Sequence, residues 1–93
     1  MVSMDADLRK LLCEDRARAV ALATKLTGDR TAAEDVTQEA MERALVALPG
    51  FRGESSLRTW FNRILARRAA DYRRARARER WEPSDASAPA SVG

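Results

Sequence analysis

The stretch LTGDRTAAEDVTQEAMERALVALPG, Leu26 to Gly50, decides the fold, because it holds a helix stop, a helix start and a second stop in order. Gly28 follows the last apolar residue of the preceding stripe, and glycine adopts a left-handed C-terminal cap at the lowest cost. Thr31 and Glu34 have the T-x-x-E spacing of a capping box, in which each side chain bonds a free backbone N–H. Val36, Ala40, Met41, Ala44, Leu45 and Leu48 then recur at steps of three and four, an apolar stripe on one helix face. Pro49-Gly50 ends that helix.

Working outward, Leu8, Leu11, Leu12, Ala19, Leu22, Ala23 and Leu26 mark one face of an earlier helix from about Asp5 to Thr27. Downstream, Ser55 or Ser56 is placed to cap a third helix that runs to about Arg80. Its core face carries Leu57, Phe61, Ile64, Leu65 and Tyr72. Beyond Trp81 the composition changes to EPSDASAPASVG, which has almost nothing to bury. The expected architecture is all-α: a compact three- to four-helix bundle over residues 1–82, the fourth helix arising if the first breaks in two. Residues 83–93 read as a disordered linker or tail, and its abrupt end suggests an excised domain or a piece of a longer protein.

Ninety-three residues support one small domain with a modest core. No apolar run approaches the roughly 20 residues of a membrane span, the start lacks an apolar signal region, and Cys13 has no partner for a disulfide. A cytoplasmic location is expected. The net charge of +3 is unevenly placed: residues 1–50 hold seven Lys/Arg against nine Asp/Glu, whereas residues 51–82 hold ten Arg against four acids. Such a division points to two partner surfaces, one of them for a polyanion, or else to solvated helix faces.

Catalysis fares badly. There is no His, and no cluster has metal-ligand spacing, so neither an enzyme nor a cofactor is expected. The third helix is more informative. At 100° per residue, Arg63, Arg67, Arg74 and Arg78 fall within about 60° of one another, and Trp60 projects onto the same stripe. Guanidinium groups neutralise phosphates and an indole can stack an unpaired base, so the stripe suits a nucleic-acid strand. The plainer alternative puts Trp60 at the core edge and makes the arginines a solubilising face. Asp71 can pair with Arg67 or Arg74. Arg68 projects into the apolar face, where it either snorkels outward or meets a partner. On the second helix Asp35, Gln38, Glu39 and Glu42 cluster, with Arg43 four residues after Glu39. That patch is either a docking surface or a solvated face.

With those residues stated, three collinear blocks resemble region 2 of bacterial sigma factors of the extracytoplasmic-function (ECF) group. They are LTGDRTAAEDVTQEAMERAL, LPGFRGESSLRTW and FNRILARRAADYRRARAR, and the resemblance covers about residues 20–80. It implies that the second-helix patch, Asp35, Gln38 and Glu39 with Arg43 in support, docks on the clamp helices of the RNA polymerase β′ subunit. It further implies that the loop and third helix recognise and help melt the promoter −10 element. A flipped non-template base would sit in a pocket formed by Phe51, Arg52, Gly53, Glu54, Ser55 and Ser56. Arg58, Trp60, Arg63, Arg67 and Arg74 would contact the strand. An anti-sigma protein is a further implied partner, and a sigma-like module that binds such a regulator without touching promoter DNA is the rival reading.

Three departures qualify the resemblance. Met41 stands where many relatives carry Phe, and both fill an apolar gap. Arg67 stands where many carry Asn, although a subset has the R-R-A-x-D run seen here as RRAAD, so base preferences of the Asn members do not transfer. No second helical domain of the kind that reads the −35 element follows Gly93, so this chain alone is expected to bind promoters weakly.

Overall fold

The computed structural model describes residues 4–81. It contains three α-helices, α1 (Met4–Thr27), α2 (Arg30–Ala47) and α3 (Leu57–Trp81), with a short 3₁₀ turn at Leu48–Gly50. No strand forms among the described residues, so the all-α expectation holds. The expected tail, 83–93, lies outside the described residues. Among them, no helix is long and apolar enough to cross a membrane.

α1 is continuous, and the alternative of a first helix broken in two does not occur. At its C-terminal end Gly28 adopts φ +79°, and its N–H bonds the Thr24 carbonyl at 2.7 Å. Thr27 closes the same end, its Oγ1 donating to the Ala23 carbonyl at 2.8 Å. One detail of the next helix start differs from expectation. The N-cap is Asp29, not Thr31: Asp29 Oδ1 accepts from the N–H groups of Thr31 at 2.9 Å and Ala32 at 3.2 Å. A charged acceptor two residues earlier serves the free N–H groups and favours the positive end of the helix dipole. Glu34 instead approaches Arg30 at 3.7 Å.

The core is built largely from small side chains. Ala23, Ala33, Ala40, Ala44 and Ala69 are buried beside Leu8, Leu65 and Phe61, which brings the helix backbones close together. Thr37 is fully buried at the centre of the inner face of α2, and its hydroxyl has no hydrogen-bond partner among the described residues. The periodicity placed Leu8, Leu12, Ala19, Ala23, Val36, Ala40, Ala44, Leu48, Phe61 and Leu65 correctly in the interior. Leu11, Leu22, Leu26, Met41, Leu45, Leu57, Ile64 and Tyr72 pack half-buried around it.

After Leu48 the chain makes the 3₁₀ turn, which Phe51 closes by donating its N–H to the Leu48 carbonyl at 2.9 Å. Gly53 takes φ +76°, a conformation that L side chains rarely adopt. Of the two serines, Ser56 caps α3: its Oγ accepts from Thr59 N–H at 3.1 Å, and its carbonyl accepts from Trp60 N–H at 3.0 Å.

Candidate functional site

The solvent face of α2 presents Asp35, Gln38, Glu39, Glu42 and Arg43, all exposed. This follows from the helix period: Val36, Ala40 and Ala44 turn inward, so the positions between them turn out. Gln38 Nε2 donates to Glu42 Oε2 at 3.3 Å, one turn along. Glu39 reaches across to α3, where Arg68 Nη2 donates to its Oε1 at 3.4 Å.

That contact resolves the position of Arg68. Its guanidinium also donates to Asp71 Oδ2 at 3.3 Å, while its buried Nε has no acceptor among the described residues. Asp71 in turn pairs with Arg74. Of the two arginines expected beside Asp71, Arg74 is its partner and Arg67 is not. A chain of charges therefore runs Glu39–Arg68–Asp71–Arg74, from the outer face of α2 onto α3. Beside it lies an open groove of about 740 Å³, lined by Glu39, Glu42, Arg43, Val46, Ile64 and Arg67 among others. Val46 is 81% exposed on its rim. An apolar floor rimmed by both signs of charge suits an amphipathic helix of mixed charge.

The loop of residues 51–56 is pinned at both ends. The Phe51 and Trp60 rings lie 5.1 Å apart at 51°, a tilted pair of the kind that contributes about 0.5–1.5 kcal/mol beyond its buried area. Ser56 is occupied in capping α3, and the Ser55 hydroxyl donates to the Ser56 carbonyl at 3.2 Å. Between these anchors Arg52, Gly53 and Glu54 are exposed, and neither charged side chain has a partner among the described residues. The loop thus offers one cation, one anion and a glycine backbone on a fixed aromatic base.

On α3 the expected stripe is present in part. Arg63, Arg67 and Arg78 are exposed and have no ion-pair partner among the described residues, whereas Arg74 is held by Asp71. Two of the residues that the resemblance assigns to the strand sit elsewhere. Trp60 is half-buried, packed against the core and against Phe51, which matches the core-edge alternative. Arg58 precedes Arg63 by five residues, which turns it about 140° off the stripe. It faces α1, with its Nη2 2.8 Å from Asp15 Oδ2, an ion pair without the alignment of a hydrogen bond.

Asp15 and the Glu39–Arg68 pairing were not identified from the sequence. Helix periodicity assigns a face to each residue but not its neighbour on another helix. The misplaced charge of Arg68 was the one usable signal. Cys13 is exposed, and no group of three His, Cys, Asp or Glu among the described residues converges to hold a metal.

Comparison with known proteins identifies the family. The Sigma-70 region 2 family profile matches residues 13–79. Two curated relatives, both named ECF RNA polymerase sigma factor SigG and both from Mycobacterium tuberculosis, are 52% identical over 40 residues. The match takes in 43% of this chain and 11% of each relative, so the chain spans a small part of the proteins it resembles. No solved structure matches the chain. The profile covers all of α2, the loop and most of α1 and α3, and the chain belongs to the sigma-70 region 2 family.

Proposed function

We propose that this chain is the promoter-recognition module of an ECF-type sigma factor, working in the cytoplasm without catalysis of its own. Asp35, Gln38 and Glu39, with Arg43 beside them, dock on the β′ clamp helices of RNA polymerase. The loop from Phe51 to Ser56 holds one flipped base of the non-template −10 strand, with Arg52, Glu54 and the backbone at Gly53 as its polar contacts. Arg63, Arg67 and Arg74 lie along the neighbouring phosphates, and Trp60 with Phe51 forms the aromatic base of the pocket. Arg58 acts through Asp15, fixing the start of α3 against α1.

The observation that carries this reading is the continuity of the two faces: Glu39, Glu42 and Arg43 of α2 share one groove with Arg67 of α3. A partner docked on α2 is therefore beside the strand-binding arginines. Flipping a base costs a few kcal/mol of unstacking, least where the strand is already single, so the loop selects sequence as melting proceeds.

Affinity for core RNA polymerase tests the docking surface. Asp35→Ala and Gln38→Ala should each weaken it while leaving the helical circular-dichroism spectrum intact, and full affinity in either variant would refute the assignment. The rival module, which binds an anti-sigma regulator without promoter contact, predicts no strand binding for Arg52→Ala or Trp60→Ala to disturb.

A further inference from the structure

We propose that the Asp15–Arg58 ion pair is an autoinhibitory latch: Asp15 holds Arg58 in the place of a DNA phosphate, and strand capture exchanges the carboxylate for that phosphate. The proposal rests on the strand reading above, which puts a single strand at the loop of residues 51–56, two positions before Arg58.

The pair is close but poorly made. Arg58, the second residue of α3, brings its Nη2 to 2.8 Å from Asp15 Oδ2 on α1. The two groups lack the alignment of a hydrogen bond, and the buried Oδ2 has no hydrogen-bond partner among the described residues. A charge-assisted hydrogen bond draws its strength from that alignment, so the pair keeps only its Coulomb attraction. Arg68, the other arginine that pairs with a different helix, divides itself between Glu39 and Asp71. Arg58 has Asp15 alone among the described residues.

The start of α3 does not favour a cation either. The positive end of the helix dipole repels one there, so Asp15 and not the helix keeps Arg58 in place. The way out is open on one side only. The Arg58 side chain is 47% exposed, whereas that of Asp15 is 23% exposed. Behind the pair, Met41, Phe61 and Asn62 help to wall a recess of about 10 Å³, room for one water at most. Nothing larger enters from within, so the pair opens outward, to solvent.

A buried carboxylate that loses its cation is costly, and Arg18 removes that obstacle. It lines the same recess, three residues after Asp15 on α1, and has no ion-pair partner among the described residues. Arg16 is less available, because its Nη1 lies on Met41 Sδ at 3.2 Å. When Arg58 leaves, Arg18 can therefore take over Asp15. A phosphate with exposed oxygens offers Arg58 the aligned, two-bond contact that Asp15 Oδ2 does not. A strand lying only on Arg63 and Arg67 gains nothing from Arg58, while one seated in the loop does.

The test is fluorescence anisotropy of the 93-residue chain with a labelled −10-like single strand across about 50–200 mM salt, with circular dichroism to check folding. Asp15→Asn keeps the side-chain shape and removes the charge. It should tighten strand binding about two- to five-fold beyond Glu14→Gln, the control for losing one exposed acid from α1. In Arg58→Gln the log–log salt slope should become shallower by about 0.7, one single-strand phosphate contact. On that background Asp15→Asn should add no more than Glu14→Gln does. Binding that Asp15→Asn weakens, or tightens no more than the control, overturns the latch and leaves the pair a tie between helices. So does a salt slope unchanged in Arg58→Gln, which decides alone if Asp15→Asn fails to fold. If Arg52→Ala/Glu54→Ala leaves strand affinity unchanged, the strand-capture reading fails, and the latch stands or falls on the Arg58→Gln slope.

Discussion

From Leu57 to Tyr72, α3 buries Phe61, Leu65 and Ala69 against the other two helices, while from Arg73 to Glu79 all seven residues are exposed. Both segments are rich in Arg and Ala, both are helical, and α3 runs through them without a break. What separates them is the apolar residue every three or four positions, which stops at Tyr72. The first segment is helical because its inner face is buried, and its arginines are carried on the outer face. The second has only propensity and attachment to the first to keep it helical. Along one helix, a segment that carries both core and surface is thus followed by one that carries surface alone. Substitutions on the inner face of the first segment should register as stability, and those on its outer face and in the second segment as binding.

The largest expected effect is Leu65→Ala. Leu65 is fully buried, and truncation should cost about 2–5 kcal/mol in urea unfolding; a cost below 1 kcal/mol would mean that the first segment is not what anchors the helix. Next in size, Thr37→Val should raise stability by about 1 kcal/mol, because the Thr37 hydroxyl is buried without a partner among the described residues. A loss of similar size would reveal a bond that the hydroxyl does make. Ser56→Ala should cost about 1 kcal/mol by removing the cap of α3, and Ser55→Ala should cost less, which distinguishes the two serines by thermal unfolding. A double-mutant cycle on Asp15 and Arg58 should give a coupling of about 0.2–1 kcal/mol, as for partly exposed ion pairs. The smallest stability change belongs to the second segment: Arg78→Gln should stay within about 0.5 kcal/mol of the parent while weakening DNA binding. If it unfolded the protein instead, the contrast between the two segments would fail.

The three helices, their order and most of the interior were legible in the sequence because each helix carries its own period. Leu8, Leu12, Val36, Ala40, Phe61 and Leu65 repeat on a face that only a packed neighbour can cover. The helix starts were legible only by type. Thr31–Glu34 and Asp29 both offer acceptors, and the backbone chose the charged residue two positions earlier. Residues of the candidate site divide in the same way. Exposure of Asp35, Gln38, Glu39, Arg63 and Arg67 follows from the period alone. Pairings across helices do not follow from it: Glu39 with Arg68, Asp15 with Arg58, and Arg30 beside Arg73 all depend on how the helices cross. Trp60 shows the limit most clearly. Its projection among the arginines was correct for an isolated helix, but Phe51, arriving from the loop, gives it an aromatic neighbour and half buries it.

Strand preference tests the central claim most directly. Affinity should be measured for a −10-like non-template single strand and for its complement, at low and at higher salt, with the parent chain and with Arg52→Ala/Glu54→Ala. Capture of a flipped base by the loop predicts tighter binding to the non-template strand, a preference that persists as salt lowers both affinities, and its disappearance in the loop variant. Equal affinity for the two strands, falling together with salt and unchanged by the loop variant, would contradict it.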